Sequence, residues 1–501
     1  MTHRSKTSAL LESAAIGSIF LAGVILRLRQ YLMGRSLWMD EAMLALNIVN
    51  RNFLDLFKPL DYDQGAPIGF LLIEKIFTLL LGRNEYALRL FPLTLGLLAL
   101  WVFYLLLKRF THGTSLVLAL ALFALNPRLI YYSSEVKQYN ADVFVFAALF
   151  LAVTDYFERP SQKGLGMLAI AGFFALWLSH PSVFLLAAIG TTLFISALKK
   201  QDTTNLRLVA GMGLFWLANV GLLYALTLGN LQSNSYMQAY WQDAFAPIPP
   251  WSKWGWYWES FKANADALFA IKYAPLFLLL SLLAGWVFLF KQKRDSAIVL
   301  AWMLFFTLLA SLLTLYPSLE RMVLFLVPAG IFLIGISLGF VIEKLRGRAA
   351  VAVVTTSLFS VYLFQGALPL TIEQFASPKY FEHIRPTMEF LQGSWREGDA
   401  LYVSYGGVPA FEYYAPMYGL ENVSYAAGRR DDYGEPDQMS LRLEPLKGRR
   451  RVWVLFSHVY EQAGFNEKDF LVEYLAHNGI RKREFREPGT SVYLYLFDLG
   501  R

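Results

Sequence analysis

Apolar residues gather along this chain into eleven runs that approach the roughly 17–25 residues a spanning helix needs. They are Ala9 to Leu26, Leu88 to Leu107, Leu116 to Ile130, Ala141 to Phe157, Leu165 to Leu178, Val183 to Leu198, Leu208 to Leu228, Tyr273 to Phe290, Ala297 to Leu315, Met322 to Ile342 and Ala349 to Leu368. The third and fifth are short. A further run, Ile68 to Leu81, carries Glu74 and Lys75 at its middle, and each would cost about 2.5–3.5 kcal/mol at a bilayer centre. This run reads as an amphipathic helix on the membrane surface, preceded by a second apolar-periodic stretch from Ala42 to Leu56. After Leu368 charges return and apolar runs shrink to strand length at Ala400 to Tyr405, Arg451 to Ser457 and Ser491 to Phe497. Helical patterns lie between them at Tyr380 to Trp395, Val408 to Tyr418 and Glu467 to His477, which predicts a small α/β domain. The expected organisation is a polytopic helical membrane domain over 1–370, with a first outer loop of about 30–87 holding two surface helices, and an α/β domain over 371–501.

Composition agrees with that picture. Hydrophobic residues make up 56% of the 501 positions and charged residues only 17%, against about a quarter charged in soluble domains. The net charge of +7 falls in short clusters between apolar runs and not along one face, so it marks topology and not nucleic acid. If Ile68 to Leu81 does not span, one side of the membrane collects Arg4 and Lys6, Lys108 and Arg109, Arg159 and Lys163, Lys199 and Lys200, the Lys291 to Arg294 cluster, and Lys344, Arg346 and Arg348. That side is the cytoplasm. The expected placement is a multi-pass protein of the plasma (inner) membrane, with a cytoplasmic amino terminus and an extracytoplasmic carboxyl-terminal domain, periplasmic in a Gram-negative cell. The first run resembles a signal-peptide core but lacks a small-residue cleavage site and is followed by Arg27, Arg29 and Arg35, so it reads as an anchor. No cysteine is present, which removes disulfide, thiol and cysteine-metal chemistry.

With this topology the outward loops carry Asp40 and Glu41, Asp61 to Gln64, Arg89, the segment Ser133 to Tyr139 with Glu135 and Lys137, His180, and Glu320 with Arg321. Both signs of charge converge on one face, where ionisable groups persist when they meet a cavity or one another; the plain alternative is a set of solvated loop residues. Asp40 fits a helix N-cap on spacing alone, but the adjacent acid beside Trp38 also suits a general base or a divalent cation site. Arg89 and Arg321 open outer helix ends where a phosphate would rest, and a guanidinium fork binds phosphate bidentately; alternatively each snorkels to headgroups. Lys137 adds a third cation. His180 is a candidate third metal ligand with Asp40 and Glu41, though a lone His is more often structural. No HExxH, Walker or dinucleotide motif occurs, so no nucleotide cofactor is expected. Aromatic residues at Tyr236, Tyr240, Trp241, Trp251, Trp254, Trp256 and Trp258 suit interfacial anchoring or sugar stacking.

The succession Trp38-x-Asp40-Glu41, Gln64-Gly65-Ala66-Pro67-Ile68, Gly82-x-x-x-Tyr86-Ala87-Leu88-Arg89-Leu90-x-Pro92, then Asn126-Pro127 with Tyr131-Tyr132-Ser133-x-Glu135-x-Lys137-x-Tyr139 resembles the GT-C glycosyltransferase superfamily. Within it the pattern is similar to the glycosyltransferase family 39 group, akin to protein O-mannosyltransferases and the aminoarabinose transferase of lipid A. The likeness covers roughly 10–370. It implies an inverting transfer of a hexosyl or pentosyl unit from a polyprenyl-phosphate donor to a glycan, lipid or protein acceptor outside the cytoplasm, in cell-envelope glycoconjugate synthesis. It implies Asp40 as catalytic base or metal ligand with Glu41 in support, Arg89 as a group that orders the site and Arg321 as a contact of the lipid phosphate; Glu135 and Lys137 join them as candidate donor-binding residues. Two departures weaken the match: the family's Arg-Tyr pair is Arg321-Met322 here, and its Pro-Pro pair is Ala66-Pro67. A transporter or flippase is one alternative, but it would place functional charge near the bilayer midplane. A non-catalytic envelope scaffold is another, and it would tolerate replacement of Asp40.

Overall fold

A computed structural model of the chain describes residues 6–345, 347–377, 381–432, 434–462 and 464–500. Arg4 and Arg346 of the basic clusters, and Tyr380 at the start of a predicted outer helix, lie outside the described residues. Among the described residues, eight helices are long and apolar enough to cross a membrane, or nine if Ala349–Phe364 and Ala367–Ala376, bent by 50°, form one span. Each of the eleven apolar runs falls on a helix, and the two that fall short of a span are the third and fifth, now Thr114–Ala124 and Gln162–Leu178. Glu85–Phe110 shows why these segments start and stop where they do. The Asn84 side chain accepts from the Ala87 amide at its start, and Lys108 and Arg109 occupy its last turn, where cations meet the negative end of the helix dipole.

The third run is broken by its own sequence. Asn126 accepts from the Arg128 and Leu129 amides and Pro127 takes the first helical position, so a separate short helix, Pro127–Tyr132, begins inside the run. The chain then turns through residues 133–138 and continues as Tyr139–Glu158. Ser133, Ser134, Glu135 and Lys137 are buried, so this polar loop is folded inward and is not solvated.

Two shorter helices follow the first span. Met39–Asn50 is capped by the backbone of Trp38 with no side-chain cap, and Asp40 lies inside its first turn; the N-cap role open to Asp40 is not the one it takes. Ile68–Leu81 has 14 residues, about 21 Å of helix at 1.5 Å per residue, which is short of a hydrocarbon core about 30 Å thick. Its charges face inward, with Glu74 fully buried and Lys75 donating to the Val49 carbonyl at 3.1 Å, while Ile76, Leu79, Leu80 and Leu81 are exposed. Contact with lipid satisfies such an inverted face.

The carboxyl-terminal segment forms a five-stranded sheet in the order Tyr425–Ala427, Ala400–Val403, Val452–Phe456, Tyr493–Asp498, Ile480–Arg486. The first three run parallel and the last two pair antiparallel. Three strands coincide with the predicted ones. Tyr425–Ala427 is only three residues long, and Ile480–Arg486 is an exposed edge strand of sequence IRKREFR, whose charges guard the edge and hide the strand from pattern reading. The three predicted outer helices appear as Arg385–Ser394, Val408–Tyr414 continued by a 3-10 turn, and Glu467–Asn478.

Candidate functional site

Glu41 is the anchor of the helix Met39–Asn50. It is fully buried and accepts from Arg89 Nε at 2.9 Å, Arg89 Nη2 at 2.6 Å and the Val136 amide at 2.9 Å. Arg89 is buried too, and its guanidinium also donates to the Arg35 and Ser36 carbonyls. Arg35 lies 3.9 Å from Glu41, donates to Tyr131 Oη at 2.8 Å and to the Ser134 carbonyl at 2.9 Å. One carboxylate thus joins the helix Met39–Asn50, the helix Glu85–Phe110 and the inward loop. Burial would raise the Glu41 carboxyl, but the charges and hydrogen bonds of Arg89 and Arg35, with the Val136 amide, hold it below the usual carboxylate range.

That anchor leaves Asp40, the adjoining residue, free to meet a different set of groups. Lys137 Nζ stands 3.0 Å from Asp40 Oδ1 and donates to Gln64 Oε1 at 2.6 Å, and Arg321 Nη2 stands 3.5 Å from Asp40 Oδ2. The Arg321 guanidinium also lies 5.8 Å from the ring centres of Trp38 and of Trp241, and its Nε is buried without a partner. Burial pushes the Asp40 carboxyl up, but Lys137 and Arg321 outweigh it and bring it below its ordinary value, so it is ionised at neutral pH. Glu135 behaves oppositely: burial, then the Glu41 charge, push it up to about 7. Its Oε1 accepts from Trp38 Nε1 at 3.0 Å and its Oε2 is buried without a partner.

Gln64 reaches Lys137 because the turn before it is held in an unusual shape. Tyr62 and Asp63 have φ of 63° and 54°, a left-handed conformation that costs non-glycine residues on the order of 1–3 kcal/mol each. Tertiary contacts hold it: Tyr62 Oη donates to Glu412 at 2.6 Å, and Asp63 takes Arg430 at 2.7 Å and Asn234 at 2.7 Å. At Gly65 an added Cβ would lie 2.6 Å from Leu231 Cδ2, so a larger residue there would push the Leu231 side chain aside. A cleft of about 440 Å³ opens beside Gln64, walled by Leu60, Leu71, Leu231 and Asn234.

The carboxyl-terminal sheet packs over the site. Glu382 accepts from the Met39 amide at 2.7 Å and from His458 Nδ1 at 2.6 Å, and Tyr414 Oη links the Leu37 amide to Glu85. Burial lowers the His458 pKa, but the Glu382 hydrogen bond and charge, with smaller help from Glu467 and Asp40, raise it overall. A raised folded pKa gives stability that is fully present below the unfolded value, about 6.5, and lost as pH rises through the folded value. We therefore expect the Met39 amide, corrected for intrinsic exchange, to be better protected near pH 6 than near pH 8, and His458→Gln to flatten that difference. Equal protection in wild type at both would remove the latch.

Of the residues selected from sequence, the structure brings Asp40, Lys137, Glu135 and Arg321 to one place. Arg89 is spent on Glu41 and two carbonyls, so it orders the loop and has no fork left for a phosphate. Glu41 is likewise unavailable as an acid or base. A metal at Asp40, Glu41 and His180 does not fit: Asp40 already lies between two cations and Glu41's oxygens are taken. Among the described residues no three His, Asp or Glu side chains stand at ligating spacing. Sequence reading missed Gln64 as a site residue, although its loop was noted, and missed Arg35, Glu382, His458 and Arg430. Glu382 and Arg430 sit more than 300 positions from their partners Met39 and Asp63, where no spacing rule reaches, and His458 joins them through Glu382.

No family model matches the chain, and no curated protein matches its sequence. Solved structures do match. The oligosaccharyltransferase AglB of Archaeoglobus fulgidus, in complex with an inhibitory peptide and a dolichol-phosphate, matches over 90% of this chain and 70% of its own, with TM-score 0.56 and 11% identity. ArnT of Cupriavidus metallidurans matches end to end at 12% identity: in the apo state over 96% of this chain and 98% of its own with TM-score 0.54, and bound to undecaprenyl phosphate over 98% of each with TM-score 0.52. At such identities the likeness is one of architecture: the chain has the GT-C fold that it shares with AglB and ArnT.

Proposed function

We propose that this protein is an inverting glycosyltransferase that moves a sugar from a polyprenyl-phosphate donor to an extracytoplasmic acceptor. The observation that carries the reading is the ionised Asp40 carboxylate set between Lys137 and Arg321 at the outer ends of the spans. The chemistry needs a base for the incoming hydroxyl and cations for the departing phosphate. Asp40 takes the acceptor proton as the oxygen attacks the anomeric carbon. The bond from that carbon to the phosphate oxygen breaks, and its electron pair leaves with the lipid phosphate, whose charge Arg321 and Lys137 stabilise. A single displacement of this kind inverts the anomeric configuration. The fold adds support, since one ArnT structure holds undecaprenyl phosphate and one AglB structure dolichol-phosphate. The cleft beside Gln64, with apolar walls and a polar end, suits a lipid-linked donor. On this reading the amino terminus is cytoplasmic and the outer sheet extracytoplasmic.

The test is sugar release from a panel of radiolabelled polyprenyl-phosphate sugars by purified protein with cell-envelope acceptors. Turnover supports the reading, and no turnover with any donor removes it. Arg321→Ala should raise donor KM on the order of 10- to 100-fold, the worth of about 1.5–3 kcal/mol in a hydrogen bond to a charged group. An unchanged donor KM would detach Arg321 from the phosphate.

A further inference from the structure

Glu135 is sealed within the site: it is 1% exposed, whereas the Asp40 and Arg321 side chains are 16% and 22% exposed. A substrate meets those two before it meets Glu135, so the effect of Glu135 has to pass through a neighbour. The neighbour it holds is an indole, by the hydrogen bond from Trp38 Nε1 at 3.0 Å. Trp38 is pinned along its backbone by other groups. The Leu37 amide donates to Tyr414 Oη at 2.8 Å, the Trp38 carbonyl accepts from the Ala42 amide at 2.9 Å, and the Met39 amide donates to Glu382 at 2.7 Å. With the chain fixed on both sides, the swing of the ring about its side-chain torsions is what remains to be set. The indole N–H is the ring's one polar donor, and Glu135 receives it.

Glu135 can serve as a fixed point because the residues on either side of it are tied down: the Ser134 carbonyl accepts from Arg35 at 2.9 Å and the Val136 amide donates to Glu41 at 2.9 Å. Arg321 needs a guide of this kind. Its Nη2 stands 3.5 Å from Asp40 Oδ2, long for a hydrogen bond, and its Nε is buried without a partner. What flanks the guanidinium is the pair of rings of Trp38 and Trp241, each centre 5.8 Å away, within the roughly 6 Å over which an indole face draws a cation. A turn of the Trp38 ring would therefore shift the guanidinium against Asp40.

We propose that Glu135 is a positioning residue for Arg321: it sets the Trp38 indole, and the indole sets the guanidinium beside Asp40. This role takes the place of direct contact with the donor. It rests on the transferase reading only for what Arg321 does next, which is to meet the donor phosphate; the chain of contacts from Glu135 to Arg321 stands apart from that reading and is tested apart from it.

The experiment is NMR on the full-length protein in detergent, labelled with nitrogen-15 at tryptophan and arginine, with the Trp38 Nε1–H and Arg321 Nε–H resonances assigned by their loss in Trp38→Phe and Arg321→Lys. We expect Glu135→Leu to shift both resonances, and Glu135→Gln, whose amide oxygen still accepts from the indole, to leave both near their wild-type positions. Should Glu135→Leu not fold, Glu135→Met makes the same comparison. An Arg321 resonance that stays in place in Glu135→Leu, or moves as far in Glu135→Gln, overturns the proposal. In turnover assays Glu135→Leu should raise donor KM about 3- to 10-fold, the worth of one hydrogen bond, with acceptor KM unchanged and Glu135→Gln close to wild type. Added to Trp38→Phe, which removes the indole donor, Glu135→Leu should raise donor KM no further; additive losses would make Glu135 a direct contact of the donor. Resonances that behave as expected without transfer from any donor would keep the positioning role and remove the transferase reading; transfer with a donor KM untouched by Glu135→Leu would do the reverse.

Discussion

Asp40→Asn is expected to lower kcat by about 10²- to 10⁴-fold, the usual worth of a positioned general base, with donor KM nearly unchanged and the thermal unfolding midpoint close to wild type. The amide keeps the shape of the carboxylate and can still accept from Lys137, which retains Gln64 as a partner at 2.6 Å. Arg321 keeps its place between Trp38 and Trp241. What disappears is the capacity to take a proton. Asp40 is also one of the few carboxylates of the site with room for a substrate, because Glu41 is sealed and Glu135 is deeply buried. Single-turnover assays on a donor that the wild type consumes decide the matter: equal rates in the variant would remove Asp40 from catalysis and leave its ion pairs as a structural device.

Glu41→Gln should instead act on stability, costing about 3–5 kcal/mol, as removal of one partner from a buried ion pair does. The loss is large because Arg89 is left charged and buried, with only the Arg35 and Ser36 carbonyls to receive it. Arg89→Met should cost a similar amount by stranding the Glu41 carboxylate. The double variant Glu41→Leu with Arg89→Met is expected to recover part of the loss but not all. The Val136 amide and the Arg35 carbonyl lose their partners, each at about 1–3 kcal/mol when buried. Detergent-phase thermal unfolding measures these differences. Turnover per folded molecule should fall far less in Glu41→Gln than in Asp40→Asn; the opposite order would return Glu41 to the chemistry.

The two adjacent acids show how far sequence reading reaches. Both stood out for one reason, paired carboxylates beside a tryptophan at a membrane surface, and nothing in their spacing separated them. On a helix, neighbouring residues point about 100° apart, so one turns into the protein toward Arg89 and the other toward Lys137 and Arg321. Which is which depends on how the helix is rolled, and packing sets the roll. Arg89 was selected with Arg321 on the same logic, an arginine at an outer helix end, yet one is buried and fully engaged and the other keeps an unpartnered Nε between two indoles.

By itself the sequence determined the apolar spans, the surface placement of Ile68–Leu81, the helix break at Asn126-Pro127 and the change to a sheet after Leu368, because length, hydropathy and local capping act over a few turns of chain. It also determined which loops carry charge of both signs. The tertiary structure decided how those charges pair. Met39 and Glu382 lie 343 positions apart, Asp40 and Lys137 lie 97 apart, and the left-handed turn at Tyr62 and Asp63 is held by residues from three distant segments. A buried charge is tolerated only beside its counter-charge, so long-range packing, and not local pattern, selected Asp40 for the open face and Glu41 for the anchor.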